Sequence, residues 1–254
     1  MFKTFHSIRA LYHPALGVSA ITLMALALPA QGSTSFTNGS FSQVGSATQS
    51  FSIDFAADGP NNVLTGWTAA TSGQNALDCL VFNATNTNVC GTHADGGGQS
   101  FWVNPGPSPD GGNYVAIDGD NAFAVPLSQT ITGLVVGQAY AVTFYQAAAQ
   151  QNGFNGATTE RWQVELGSQS QLSTLMSDAN HSDVGWMSQS LTFTATAASE
   201  ALTFIAVGTP SGEPPFVLLD GVGFTAVPEP ATFALLGVGL VGIGAFGRRL
   251  KKRS

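Results

Sequence analysis

Residues 33–226 predict an all-β fold, an antiparallel β-sandwich, and three observations carry that expectation. Apolar residues recur at every second position in several short runs, which gives each extended segment one core-facing and one solvent-facing side. Turn-forming Gly, Asn, Ser and Pro separate those runs, and no stretch of the body has the length or period of a long helix. About 190 residues are enough to enclose one core between two sheets.

From the N-terminal side, residues 38–41 and 51–55 read as strands, and Trp67 follows a turn. Residues 83–113 are rich in Gly, Asn and Pro and read mostly as loop. Residues 113–118 read as another strand. After the turn at Gly137, Tyr140, Val142 and Phe144 alternate with small or polar residues. Trp162, Val164 and Leu166 alternate with Gln163 and Glu165, and Leu191, Phe193 and Ala195 alternate with threonines. Ala197, Ala198, Ser199 and Glu200 turn the chain, and Leu202, Phe204 and Ala206 return. Residues 216–219 and 222–224 form a last apolar stretch, kinked near Gly221. Trp67, Trp162 and Trp186 lie on or beside these patterns and are expected in the core. No internal repeat and no second domain boundary is visible.

Both ends differ from this body. Lys3 and Arg9 precede an apolar run at 15–30, interrupted only by Ser19 and Thr22. That order reads as a secretory signal peptide over residues 1–32, cleaved after Ala30 or Gly32. A retained membrane helix is the alternative, disfavoured by the short run and by Pro29. At the other end, Val227-Pro228-Glu229-Pro230 leads into an uncharged, glycine-rich run at 231–246. Five cations follow in the last seven residues, among them Arg248 and Arg249. At ~1.5 Å per residue that run reaches ~24 Å, short of a ~30 Å hydrocarbon core, so it is expected to span only with the arginines snorkelling. The basic end holds to the cytoplasmic side. The two prolines break any entering helix and leave an extended stretch open to a protease.

Without these ends, the domain at 33–226 keeps one cation, Arg161, against fourteen Asp and Glu, a net charge of −13. Such a surface repels phosphate backbones, which excludes nucleic acid as a partner. The absence of lysine from 33–226 also argues against Schiff-base chemistry. Cys79 and Cys90 are separated by ten residues in a polar, turn-rich segment. In an exported protein they are expected to form a disulfide, worth about 3 kcal/mol in the chain-entropy picture. A metal site using both with His93 would lack a fourth ligand.

The tail, residues 227–254, resembles the PEP-CTERM sorting signal of Gram-negative bacteria. That resemblance implies an exosortase-type processing protease as partner, acting near Pro228 to Pro230 after transient residence in the inner membrane. The body resembles the galactose-binding-like jelly roll. The resemblance rests on Asn38-Gly39-Ser40-Phe41, Gly66-Trp67, the segment 112–119, Leu127-Ser128-Gln129-Thr130-Ile131 and Leu218-Leu219-Asp220-Gly221-Val222. It implies that the Asn38 segment and the Asp220 segment lie side by side as first and last strands.

Aromatic rings stack on the apolar face of a pyranose while amides bind its hydroxyls. Trp102 and Phe154 are the candidates, with Asn152 and Asn155 beside Phe154; packing at the end of the sandwich is the plainer role for each. Asp118, Asp120 and Asp220 are candidate ligands of a structural calcium, since Asp118-Gly119-Asp120 spaces two oxygen ligands around a glycine turn. Turn formation is the plainer role here too. Catalysis has little support. Glu160 and Glu165 lie five apart on one strand and face opposite sides. Asp178, His181 and Asp183 read as a surface turn. The expected function is an exported, non-catalytic module of the cell surface or the exopolysaccharide and biofilm matrix. Extracellular polysaccharide is the expected partner. The alternatives are a glycan hydrolase with a shallow carboxylate site at Glu160 or Asp118, and a pure scaffold with no small-molecule ligand.

Overall fold

The computed structural model of the chain describes residues 33–45, 52–54, 64–69, 78–81, 89–92, 98–121 and 123–228. All of them fall in one compact unit, residues 31–230. The expected signal peptide, the apolar run at 231–246, Glu229, Pro230, Arg248 and Arg249 lie outside the described residues.

No helix occurs among the described residues. The strands are β1 (Ser52–Asp54), β2 (Thr68–Ala69), β3 (Asp78–Val81), β4 (Val89–Thr92), β5 (Gly98–Ser100), β6 (Tyr114–Asp118) and β7 (Leu127–Thr132). They continue as β8 (Ala139–Gln150), β9 (Thr158–Leu166), β10 (Gln169–Leu172), β11 (Met176–Asp178), β12 (Asp183–Thr194), β13 (Ser199–Thr209) and β14 (Pro215–Ala226). One sheet runs β1-β3-β6-β14-β8-β12; the second runs β10-β9-β13-β7-β2, with β11 also on β9. All pairings are antiparallel. This is the antiparallel sandwich that the alternation predicts. Residues 83–113, expected to be mostly loop, contain the hairpin β4-β5.

The main core forms where the alternating residues of both sheets meet. Tyr140, Val142 and Phe144 of β8 face Trp162, Val164 and Leu166 of β9 and Leu202, Phe204 and Ala206 of β13, all buried. Phe204 sits edge-on to both Phe144 and Trp162, with centroids 5.3 and 5.9 Å away. Each such side chain contributes roughly 1.5–3 kcal/mol on burial.

The kink near Gly221 is a β-bulge: the β14-β8 register shifts between Asp220 and Gly223, and Gly221 has φ +57°. The extra residue keeps Val217 and Leu219 before it, and Val222 and Phe224 after it, on the same inner face. Without it, the second pair would turn outward.

The segment at Asn38, expected as a strand, is instead a turn, with Asn38 and Phe41 at φ +52° and +48°. The Asn38 amide side chain donates to the carbonyls of Gln43 and Thr65 and accepts from the Gln43 amide. Asn38 O takes the Trp67 indole N–H at 3.0 Å. Short polar side chains tolerate this backbone best, so the turn wins over pairing. It does lie against the last strand: Val222 N donates to Gly39 O at 2.9 Å. A Cβ on Gly39 would meet the Val222 carbonyl oxygen at 1.8 Å, which leaves room for glycine alone.

A second, smaller core covers part of the outer face of the six-stranded sheet. Phe101, Tyr114, Ala116, Ala147, Ala149, Phe216 and Leu218 are buried there, with Trp186 packed against them. Trp186, expected in the core, is half-buried on this outer side and donates to Gly106 O at 3.0 Å. Cys79 lies on β3 and Cys90 on β4. The side chains of both fall outside those described, and their pairing stays a proposal.

Candidate functional site

The structure brings Trp102, Phe154 and Asn155 together at one end of the sandwich, with Asn152 exposed in the same loop. The Trp102 indole N–H donates to Phe154 O at 2.9 Å. Its ring stacks on His181, centroids 3.9 Å apart at 33°. The His181 ring nitrogen Nε2 lies 2.8 Å from Asn155 Oδ1, and the Asn155 amide donates to Glu213. His181 adopts φ +61° while its amide donates to Gln150 Oε1 at 2.7 Å. The polar edge of Trp102 is therefore engaged within the protein, and one face of its ring is covered.

The predicted calcium ligands do not converge. Phe216 on β14 pairs with Asp118, and Asp220 lies four residues further along that strand. At ~3.3 Å per residue this separates Asp118 from Asp220 by ~13 Å. Among the described residues no three Asp, Glu, His or Cys side chains form a metal-holding group. Asp118 is buried, its Oδ1 accepting from the Asp120 amide at 2.8 Å. Burial chiefly lifts its pKa to about 7; the Asp120 amide opposes the shift and the Asp120 charge adds to it. Asp120 Oδ2 caps the β13-β14 turn, accepting from Ser211 Oγ at 2.8 Å and Gly212 N at 2.7 Å. Asp220 is also lifted to about 7 by burial, opposed by hydrogen bonds from Ser108 and the Gly221 amide.

Glu160 and Glu165 do face opposite sides. Glu160 is buried on the inner face beside Thr158 and Asp178, and burial raises it to about 8. Glu165 is half-buried on the outer side and accepts from Gln163 Nε2 at 2.7 Å. Asp178, expected in a surface turn, is buried, and its pKa rises to about 6. Its strand β11 pairs with β9, which carries Asp178 over Thr158 and away from solvent.

A groove of about 510 Å³ opens on the outer face of the six-stranded sheet, beyond the second core. It is lined by Asp110, Thr143, Tyr145, Ser188, Ser190 and Gly221, among others. Register explains the grouping: Ser188 pairs with Tyr145, and Ser190 pairs with Thr143 across β12-β8. On the other flank, Asp220 pairs with Tyr145 across β14-β8. A Cβ on Gly221 would come within 2.8 Å of the Tyr145 ring and 3.1 Å of Asp110 Cβ. The ring therefore lies against bare backbone at the bulge, half-buried, with hydroxyls on one side and an exposed carboxylate on the other. Grooves of roughly 300–1,000 Å³ suit small ligands or a few sugar units. Tyr145 follows the inward Phe144 and was not singled out in the sequence. The available signal is a large aromatic at an outward strand position.

Residues 226–252 match the family described as the PEP-CTERM protein-sorting motif. No curated protein matches the chain. Three similar solved structures are carbohydrate-binding modules by their descriptions. A CBM4 module is 15% identical, covering 75% of this chain and 99% of its own, with a TM-score of 0.36. A CBM61 module in complex with β-1,4-galactotriose is 14% identical over 64% of this chain and 90% of its own, TM-score 0.34. The CBM22-2 xylan-binding domain from Paenibacillus barcinonensis Xyn10C is 13% identical over 70% and 99%, TM-score 0.33.

Proposed function

We propose that this is an exported, non-catalytic, carbohydrate-associating module, sorted by its tail and delivered to the cell surface or extracellular matrix of a Gram-negative bacterium. An exosortase-type protease acts on the tail near Pro228 to Pro230, after transient anchorage in the inner membrane. The sorting motif at 226–252 supports the export half of this reading. The glycan half rests on one observation: Tyr145 is held half-open over Gly221, with Ser188, Ser190 and Asp110 around it.

A ring in that setting stacks on a pyranose face while the hydroxyls and carboxylate bond sugar hydroxyls. A net charge of −13 on residues 33–226 favours a neutral polysaccharide over an acidic one. A shallow groove gives weak single contacts, which suffice in a matrix where many copies act together. The Trp102, Phe154, Asn152 and Asn155 end is a secondary contact in this reading, because its polar groups are partly engaged already.

Neither Glu160 nor Asp118, the carboxylates of the hydrolase alternative, lines the groove. Hydrolysis needs two carboxyl groups flanking one bond. Glu160 faces the interior from the second sheet, whereas Asp118 shares the outer side of the six-stranded sheet with Phe216, and both are buried. Calcium stays a proposal for the Asp118–Asp120 turn alone; a melting temperature unmoved by Ca²⁺ or chelator would remove it.

The test is co-sedimentation of the protein with the producing organism's exopolysaccharide, with the supernatant assayed for released sugar. Binding without release is expected, and Tyr145→Ala is expected to weaken it about tenfold, the loss of one ring contact of order 1.4 kcal/mol. Released sugar, or binding indifferent to Tyr145, would sink the proposal.

A further inference from the structure

The two ends of the sandwich differ in charge. Asp118, Asp120, Asp178, Asp183, Glu160 and Glu213 all lie at or near the end where β8 finishes and β9, β12 and β14 begin. The opposite end is made by the turns at 133–137, 167–168 and 195–198, the segment 33–37 and the exit at 225–228. These carry no Asp, Glu, Lys or Arg. Glu200, the nearest acid after the 195–198 turn, is buried and accepts from the Thr196 amide and hydroxyl.

This uncharged pole has an apolar tip. Val135 is 40% exposed and Val136 63%, two of the few large apolar side chains left in solvent among the described residues. The tip is held firmly. Gly137 N donates to Ala195 O at 2.8 Å, Leu134 N to Ala198 O at 3.1 Å, and Val135 N to Tyr140 Oη at 2.9 Å. The chain's exit is tied to the same turn: Val227 N donates to Ala139 O at 2.8 Å, and Gln138 Nε2 donates to Val227 O at 2.6 Å. Only Pro228, Glu229 and Pro230 then separate Val227 from the apolar run at 231. Four peptide steps span at most ~14 Å.

We propose that this pole is a lipid-contact surface: until the tail is cut, the Val135–Val136 tip rests in the headgroup region of the bilayer that the apolar run enters. The inference rests on the tail acting as a bilayer anchor. A short tether, whose one charge is Glu229, brings the pole to the membrane, and the turns at 133–137, 167–168 and 195–198 meet headgroups without desolvating a charge of their own. The two valines bury apolar surface at the interface. The acidic pole then faces outward, which sets the charged end furthest from lipid phosphates.

The experiment places the full chain in phosphatidylcholine vesicles with brominated acyl chains and reads tryptophan emission. Val136→Trp introduces the probe at an exposed turn position, and Ala157→Trp, exposed at the acidic pole, is the comparison. The emission added by Val136→Trp is expected to be largely quenched, and that added by Ala157→Trp to be unaffected. Equal emission from the two in chains that float with the vesicles would overturn the lipid contact while leaving the anchor intact. Chains that fail to float would overturn the anchor, and the contact with it.

Discussion

The outer face of the six-stranded sheet has two halves, built on the same strands and put to different uses. Over one half, β8 presents Ala147 and Ala149, and Phe101, Tyr114 and Phe216 settle onto them to make a second core. Over the other, β8 presents Thr143 and Tyr145, and the groove stays open. The change falls between positions 145 and 147, where a large side chain gives way to methyl groups. Small residues admit a cover; a tyrosine held up by a bulge keeps one off. A sheet face thus becomes a core or stays an open groove according to side-chain volume and the bulge beside it.

The strongest way to break the contrast is Phe216→Ala, which empties the covered half. Its stability is expected to fall by about 3–5 kcal/mol in denaturant titration, with glycan binding of the folded protein retained. A midpoint that hardly moves would mean the covered half is not a core. Gly221→Ala attacks the boundary. An added Cβ at φ +57° is strained and meets the Tyr145 ring at 2.8 Å, so a loss of about 1–3 kcal/mol is expected together with weakened binding. Loss of stability with binding untouched would separate the bulge from the groove.

A third test sharpens the comparison through pH. Asp118 and Asp220 on the outer side rise to about 7 from 3.8, and Asp178 and Glu160 on the second sheet rise to about 6 and about 8 from 3.8 and 4.5. In each case burial is the main cause. The folded chain therefore holds more protons than the unfolded one between about pH 4 and about pH 8, and stability falls as pH rises through that window. Melting temperature is expected to drop across it, and Glu160→Gln to flatten its upper part. A melting temperature that rises from acid to neutral pH would reject this account.

Much of this was legible in the sequence where alternation is strong. The inward residues of β8, β9 and β13 follow from period two, and so does the opposite facing of Glu160 and Glu165. What period two cannot supply is register between distant strands. Asp118 and Asp220 look alike as turn acids, yet pairing of Phe216 with Asp118 sets them four residues apart. Asp178 looks like a loop acid until β11 is seen to join β9. Asn38 fails as a strand because its own side chain satisfies three backbone groups in a turn. Tyr145 is invisible as a site for the same reason of register: its hydroxyl neighbours come from β12, and its supporting glycine from β14.

The placement of β14 has a consequence in time. The last strand lies in the middle of its sheet, between β6 and β8. A chain stopped at Gly212 holds β1-β3-β6 and β8-β12 as two groups with no ladder between them. Synthesis and export run from the N-terminus, so the sheet cannot close until residues 215–226 have emerged. The next residues to appear are the sorting motif. Completion of the domain and emergence of its sorting motif thus fall within a few residues of each other.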